Sequence, residues 1–174
     1  MRLGSLFCAA AVVLCALPAN ASWGEKYLSG TLSYSALSTV EHGYVHAPFV
    51  SGGMGYYVTD FSILEGEVGY GPTRADDELR QIFGGRGVFR MLIDVTEWVP
   101  SVGASLGWLS AYAPDDGLEG GAFVGFSACV DRRTQRDHSW GVCGEIAAFP
   151  FHDNFQALHT IGVRFNGFLP FLFD

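Results

Sequence analysis

From Tyr27 onward, apolar and polar residues alternate with a period of two, and that leaves few folds open. In the first such segment Leu28, Leu32, Tyr34 and Ala36 interleave with Ser29, Thr31, Ser33 and Ser35. Successive side chains of a strand point to opposite faces, so this is a strand pattern, whereas a helix would repeat every 3.6 residues. Eight segments recur, roughly 26–37, 44–57, 61–71, 80–93, 97–112, 119–131, 138–150 and 156–168. Each has about ten residues or more, the length a tilted membrane strand needs. Residues 58–60, 94–97 and 131–137 read as tight or polar turns, and 38–43, 72–79, 113–118 and 151–155 as longer links. An even strand number with turns alternating in this way is the pattern of an all-β, antiparallel up-and-down barrel.

Closing the hairpins tests whether the faces agree. Centring the second hairpin on Thr59 sets Tyr57 opposite Phe61 and Gly53 opposite Glu65. Closing 72–79 about its middle sets Glu65 opposite Arg86, and closing 94–97 sets Arg90 opposite Ser101. One face then gathers Glu65, Glu67, Arg86, Arg90, Glu145 and Arg164 among small residues such as Ser51, Gly53, Ser105 and Gly125. The other gathers Val50, Val68, Phe89, Leu106, Phe126, Ile146 and Phe165. A slip of two residues changes the partners and not the face.

Which face lies inside decides the class. A soluble barrel encloses its apolar set, and a membrane barrel turns that set outward around a polar lumen. Eight strands leave an interior only just wide enough for side chains, and aromatic residues from nearly every strand would overfill it. The polar set fits: glycine and serine leave room for Glu65, Glu67 and Glu145, which Arg86, Arg90 and Arg164 can neutralise one for one, as buried charge requires. The expectation is an eight-stranded transmembrane β-barrel, monomeric, its lumen plugged by an ion network. Tyr56, Trp98 and Trp140 beside the tight turns, with Tyr70 and Trp108 near the longer links, then form two interfacial belts.

Residues 1–21 (MRLGSLFCAAAVVLCALPANA) place Arg2 before an apolar run from Leu6 to Leu17, then Pro18 and the A-x-A site Ala19-Asn20-Ala21. This is the layout of a cleaved secretory signal peptide, and the run is shorter than the roughly 20 residues of a membrane helix. Residues 22–174 remain as one barrel domain. Cys8 and Cys15 leave with the signal; Cys129 and Cys143 stay, share the inward parity and flank a turn centred near Arg136. In an exported chain that pair reads as a cross-strand disulfide. Two sulfurs alone do not make a metal site. The formal charge of −8 argues against a phosphate-binding surface and so against nucleic acid as a partner.

The stretches GYYVTDFSILEGEVGYG (Gly55–Gly71), LIDVTEWVPSVGASLGW (Leu92–Trp108) and HTIGVRFNGF (His159–Phe168) resemble hairpins of the small outer-membrane β-barrel proteins of Gram-negative bacteria, the broad OmpA/OmpX-like superfamily. The resemblance implies insertion into the cell outer membrane by its assembly machinery, contact with outer-membrane lipid and lipopolysaccharide, and both termini in the periplasm. Chains of that group usually end on an aromatic residue, whereas this one continues past Phe168 to Asp174.

No catalytic, cofactor-binding or metal-ligating set stands out. His42 and His46 have a helical metal spacing in a region that reads as loop and strand. His138 and Ser139 are adjacent on a strand and point to opposite faces, so a Ser–His–acid arrangement with Glu145 lacks its geometry. Asp76, Asp77, Glu78, Asp115, Asp116 and Glu119 fall in the longer links, where they could meet divalent cations at a lipopolysaccharide surface. The expected role is structural or surface-interacting. The alternatives are a narrow channel or carrier for small solutes, and a barrel-type lipid-modifying hydrolase.

Overall fold

The computed structural model describes residues 26–40, 43–59, 61–75, 78–93, 97–113, 117–135 and 138–168; the signal-peptide reading of residues 1–21 lies outside them. Eight strands follow in order: β1 (Lys26–Thr39), β2 (Gly43–Thr59), β3 (Ser62–Ala75), β4 (Glu78–Leu92), β5 (Trp98–Ala113), β6 (Gly117–Gln135), β7 (His138–Ala148) and β8 (Phe155–Phe168). Each pairs antiparallel with its neighbours, and β1 pairs with β8 to close the barrel. Closure satisfies the main chain without leaving an edge, the condition for a sheet to sit in hydrocarbon. One end of the barrel carries both described termini and the β2–β3, β4–β5 and β6–β7 connections (the terminal end). The other carries the remaining connections (the far end).

The parity read from the sequence sets the faces. Ser29, Thr31, Ser33 and Ser35 are buried while Leu28, Leu32 and Tyr34 are exposed, and the same inversion runs around the barrel. Glu65 is 0% exposed and Leu106 65%. An apolar surface that continuous is what a lipid-facing wall looks like.

Three expected registers are corrected, each by two residues. Tyr57 lies opposite Ile63 and Gly53 opposite Glu67, because β2 runs on to Thr59 and the turn falls later than a centre at Thr59. Glu67, not Glu65, lies opposite Arg86. Arg90 lies opposite Gly103 rather than Ser101. The longer links are also shorter than expected. Thr39–Gly43, Ala75–Glu78 and Ala113–Gly117 are paired, so three of the four far-end connections are tight hairpins. Gly43 (φ 67°) and Gly117 (φ 81°) start β2 and β6 in the left-handed region that a side chain would oppose. Only β7 ends early, at Ala148, and a turn carries the chain to Phe155.

The β6–β7 ladder stops at Val124–Ala148 because β7 ends there, and the β2–β3 seam is incomplete although both of its strands continue. Pairing of β2 with β3 stops at Val50–Tyr70, although β2 is paired with β1 as far as Gly43 and β3 with β4 as far as Ala75. Continuing the β2–β3 register brings Pro48 opposite Pro72, two residues with no N–H for a ladder. The strands stay in touch there. A Cβ on Gly71 would lie 2.3 Å from the Pro48 carbonyl oxygen, and the Thr73 hydroxyl donates to the His46 carbonyl at 2.6 Å.

Candidate functional site

The lumen is layered, which corrects the expectation of a wholly polar interior. Toward the far end Leu37, Ile82, Leu109, Phe123, Phe155 and Leu158 form a buried apolar cluster. Toward the terminal end Tyr27, Ile63, Leu92 and Val99 form a smaller one. These residues have inward parity, or in Phe155 lie beyond a register shift between Ser38 and Thr39 on the β1–β8 ladder. The charged layer sits between the two clusters.

Glu65 is its centre. Its Oε1 accepts the Tyr27 hydroxyl at 2.6 Å and Arg164 Nη1 at 2.8 Å, and its Oε2 accepts Arg90 Nη2 at 2.6 Å. The second Arg164 nitrogen, Nη2, donates to Asp131 Oδ2. Beside this group Arg86 bridges two carboxylates. Its Nε and Nη2 donate to Glu67 Oε2 at 3.0 and 2.7 Å, and its Nη1 contacts Glu145 Oε2. Ser105 donates to Glu145 Oε1 at 2.5 Å, and Ser51 reaches Glu67 Oε2 at 3.5 Å. All six charged residues anticipated for the lumen thus meet in one layer.

Glycine makes the room. A Cβ on Gly53 would stand 2.8 Å from Glu67 Cγ, one on Gly141 2.1 Å from Asp131 Oδ1, and one on Gly55 2.0 Å from the Tyr27 ring. Strand residues without side chains let long polar groups lie flat across the pleat.

Two members were not anticipated. Asp131 reads as a turn residue in the sequence, yet β6 continues through it to Gln135 and keeps it buried. The signal was available, since Asp131 shares the odd parity of Ser127 and Cys129. Tyr27, at the very start of the alternating pattern, shares the odd parity of Ser29 and Thr31. Within this layer Asp131 makes four carboxylates to three guanidiniums, and Arg80, which shares the inward parity of Arg86, stands nearer the far end on β4.

Cys129 and Cys143 are directly opposed, with Cα atoms 4.1 Å apart, and form a disulfide. Arg90 Nη1 contacts Cys129 Sγ and lies 3.8 Å from Cys143 Sγ, so the bridge forms part of the lumen wall.

The anticipated belt residues lie on the outer face. At the terminal end Trp98 and Trp140 pack edge to face at 5.9 Å, with the Arg132 guanidinium 5.5 Å from the Trp98 ring, and Tyr56 lies across from Leu64. Toward the far end Tyr70 is exposed, and Trp108 Nε1 donates to Ser110 at 2.8 Å. His46 stacks with Tyr34 and Tyr44 on the same outer face. Ser139 faces the lumen and accepts a bond from Asn166 Nδ2 at 3.0 Å. Of the acidic link residues, Asp76, Asp77, Asp115 and Asp116 lie outside the described residues, and Glu119 accepts Asn154 Nδ2 at 3.2 Å. His42 is also outside them. Among the described residues no group of three His, Cys, Asp or Glu could hold a metal ion.

This architecture is that of the small eight-stranded outer-membrane β-barrels. Neisserial surface protein A (NspA) superposes with a TM-score of 0.74 at 10% identity, over 83% of this chain and 97% of that one. The N-terminal barrel of Pseudomonas aeruginosa OprF follows at 0.53 and 14% identity, over 82% and 98%. Ail, the attachment invasion locus protein of Yersinia pestis, gives 0.50 at 10% identity, over 83% and 99%. No protein-family model and no curated protein matches the sequence.

Proposed function

We propose that the protein is an integral barrel of the bacterial outer membrane with a structural or surface-interacting role and no catalytic one. The inverted distribution of polarity carries this reading: buried carboxylates and guanidiniums inside, a predominantly apolar wall outside. The proposed partners are outer-membrane lipid and lipopolysaccharide around the wall, and the assembly machinery during insertion. The chain is exported by its signal peptide, and the terminal end faces the periplasm. The belt near the far end, including Tyr34, Tyr44 and Tyr70, then meets the outer leaflet. Conduction is disfavoured because two apolar clusters and a cross-braced ion layer cross the lumen in succession.

Fractionation followed by gel electrophoresis with and without boiling tests the location. The protein should appear in the outer-membrane fraction and migrate anomalously until heated. Recovery as a detergent-free periplasmic protein would overturn the reading. In planar bilayers the purified barrel should pass no steady ion current, and stable conductance would favour the channel alternative.

A further inference from the structure

The charged layer divides unevenly. Glu65 and Asp131 are matched by Arg90 and Arg164, whereas Arg86 stands alone between Glu67 and Glu145. Counted over its own ion pairs, this group carries one negative charge in excess. Taking an uncompensated charge out of water costs several kcal/mol, so a barrel that tolerates this arrangement has a means of neutralising it.

Two further features share one cavity with this group. The Glu67 carboxylate is 3% exposed, and its Oε1 has no hydrogen-bonding partner in the protein. Ser127, 4% exposed, likewise leaves its Oγ without one. Both line a cavity of about 70 Å³ that is also bounded by Arg86, Glu145, Ser51 and Thr31. A water needs roughly 10–15 Å³ by this kind of measure, so there is space for an ion with part of its hydration shell. Leu37, Ile82 and Leu109 bound the same cavity on its apolar side.

We propose that this cavity is a binding site for one small monovalent metal cation. The exposed donors are carboxylate and hydroxyl oxygens, the ligands a hard cation prefers. A single positive charge restores neutrality, whereas a divalent ion would overshoot it beside Arg86. Glu67 Oε1 is the anchoring ligand, with Ser127 Oγ and retained waters completing the shell. The inference rests on the lumen geometry and not on where the barrel resides in the cell.

Two measurements on the folded, detergent-solubilised protein test it, with rubidium chloride as the probe. Crystals grown with rubidium should show an anomalous-scattering peak in contact with Glu67 Oε1. The unfolding temperature should rise with rubidium chloride but not with N-methylglucamine chloride of equal ionic strength, whose cation is too large to enter. Glu67→Gln removes the excess charge and should lose both signals. Ser127→Val keeps every charge but fills the cavity and should lose them as well. No anomalous peak, equal stabilisation by both salts, or rubidium dependence surviving in Glu67→Gln would each overturn the proposal. Stabilisation by lowered pH alone, indifferent to the cation, would assign the neutralising role to a proton and overturn it too.

Discussion

Arg164 and Glu65, 99 positions apart in sequence and on strands that are not neighbours, meet at 2.8 Å inside the barrel. The contact reaches across the lumen from β8 to β3, so it can form only once the sheet has closed. Arg164 also holds Asp131, and Glu65 also holds Arg90, which makes the pair the hub of the charged layer. Removing one partner of a buried pair leaves the other charged and unmatched, at a cost of about 3–5 kcal/mol. Glu65→Gln and Arg164→Met should each lower stability by that order, measured as the urea midpoint of tryptophan fluorescence in lipid vesicles. A change below about 1 kcal/mol, the range of exposed ion pairs, would show that the layer is not sealed from water.

The orientation of the wall can be tested by depth. Leu106 lies midway along β5, and Leu118 sits beside the β5–β6 hairpin; both side chains point outward. An arginine at the bilayer midplane of a barrel costs about 2–4 kcal/mol and near the interface about 0–1 kcal/mol. Leu106→Arg should therefore destabilise strongly in vesicles and Leu118→Arg hardly at all. Equal effects would mean that the apolar wall is not graded by a membrane.

Much of this arrangement was legible beforehand, and the reason is the strictness of the period. Once Ser29, Thr31 and Ser33 mark one face, every residue of β1 is assigned, and no slip of two can undo it. The ion partners were not legible, because register depends on turn geometry. Closing the β2–β3 turn too early moved Gly53 from Glu67 to Glu65, and closing the β3–β4 turn too early moved Arg86 from Glu67 to Glu65. The Cys129–Cys143 pair came out in its true register, since its turn is centred where the flanking parity places it. The inward apolar residues were missed for another cause. Leu109 and Phe123 obey the same parity as the glutamates, but the serines, glycines and charged residues that share their face outnumber them and mark it as polar.

The disulfide joins residues 14 apart in sequence across the β6–β7 hairpin. In the chain-entropy account a loop of about this size contributes about 3 kcal/mol by restricting the unfolded chain. Exhaustive alkylation of the processed protein without reductant should label no cysteine. Cys129→Ser with Cys143→Ser should still fold, with a urea midpoint lowered by an amount of that order. Stoichiometric labelling would mean that the sulfurs are free thiols.

Small residues face inward for space and outward by tolerance, and two glycines separate these cases. A Cβ on Gly55 would meet the Tyr27 ring at 2.0 Å, while one on Gly30 meets nothing within 4 Å. Overpacking a filled interior costs about 1–3 kcal/mol. Gly55→Ala should displace Tyr27 from Glu65 and destabilise by that order, and Gly30→Ala should be neutral or slightly stabilising. Equal behaviour of the two variants would show that the Tyr27 ring is not held over Gly55.

A weak part of the wall should be the β2–β3 seam at the far end. There the ladder stops at Val50–Tyr70, and Pro48 and Pro72 meet without an N–H between them, so Thr73 and close main-chain contact must hold the strands together. By contrast β5 and β6 pair without interruption from Trp98–Arg132 to Ala113–Gly117. Amide protection follows local opening, which is easier where fewer ladder bonds must break. Hydrogen exchange in micelles should therefore be faster for His46 and Arg74, whose N–H groups face the open β2–β3 seam, than for Leu109 and Ala111 at a similar height on the β5–β6 seam. Replacing Pro48 with Val and Pro72 with Thr restores both donors, each net bond contributing about 0.5–1.5 kcal/mol. The double variant should slow exchange at the seam and raise the unfolding temperature. Unchanged exchange in that variant would mean that the break in the ladder has a cause other than the facing prolines.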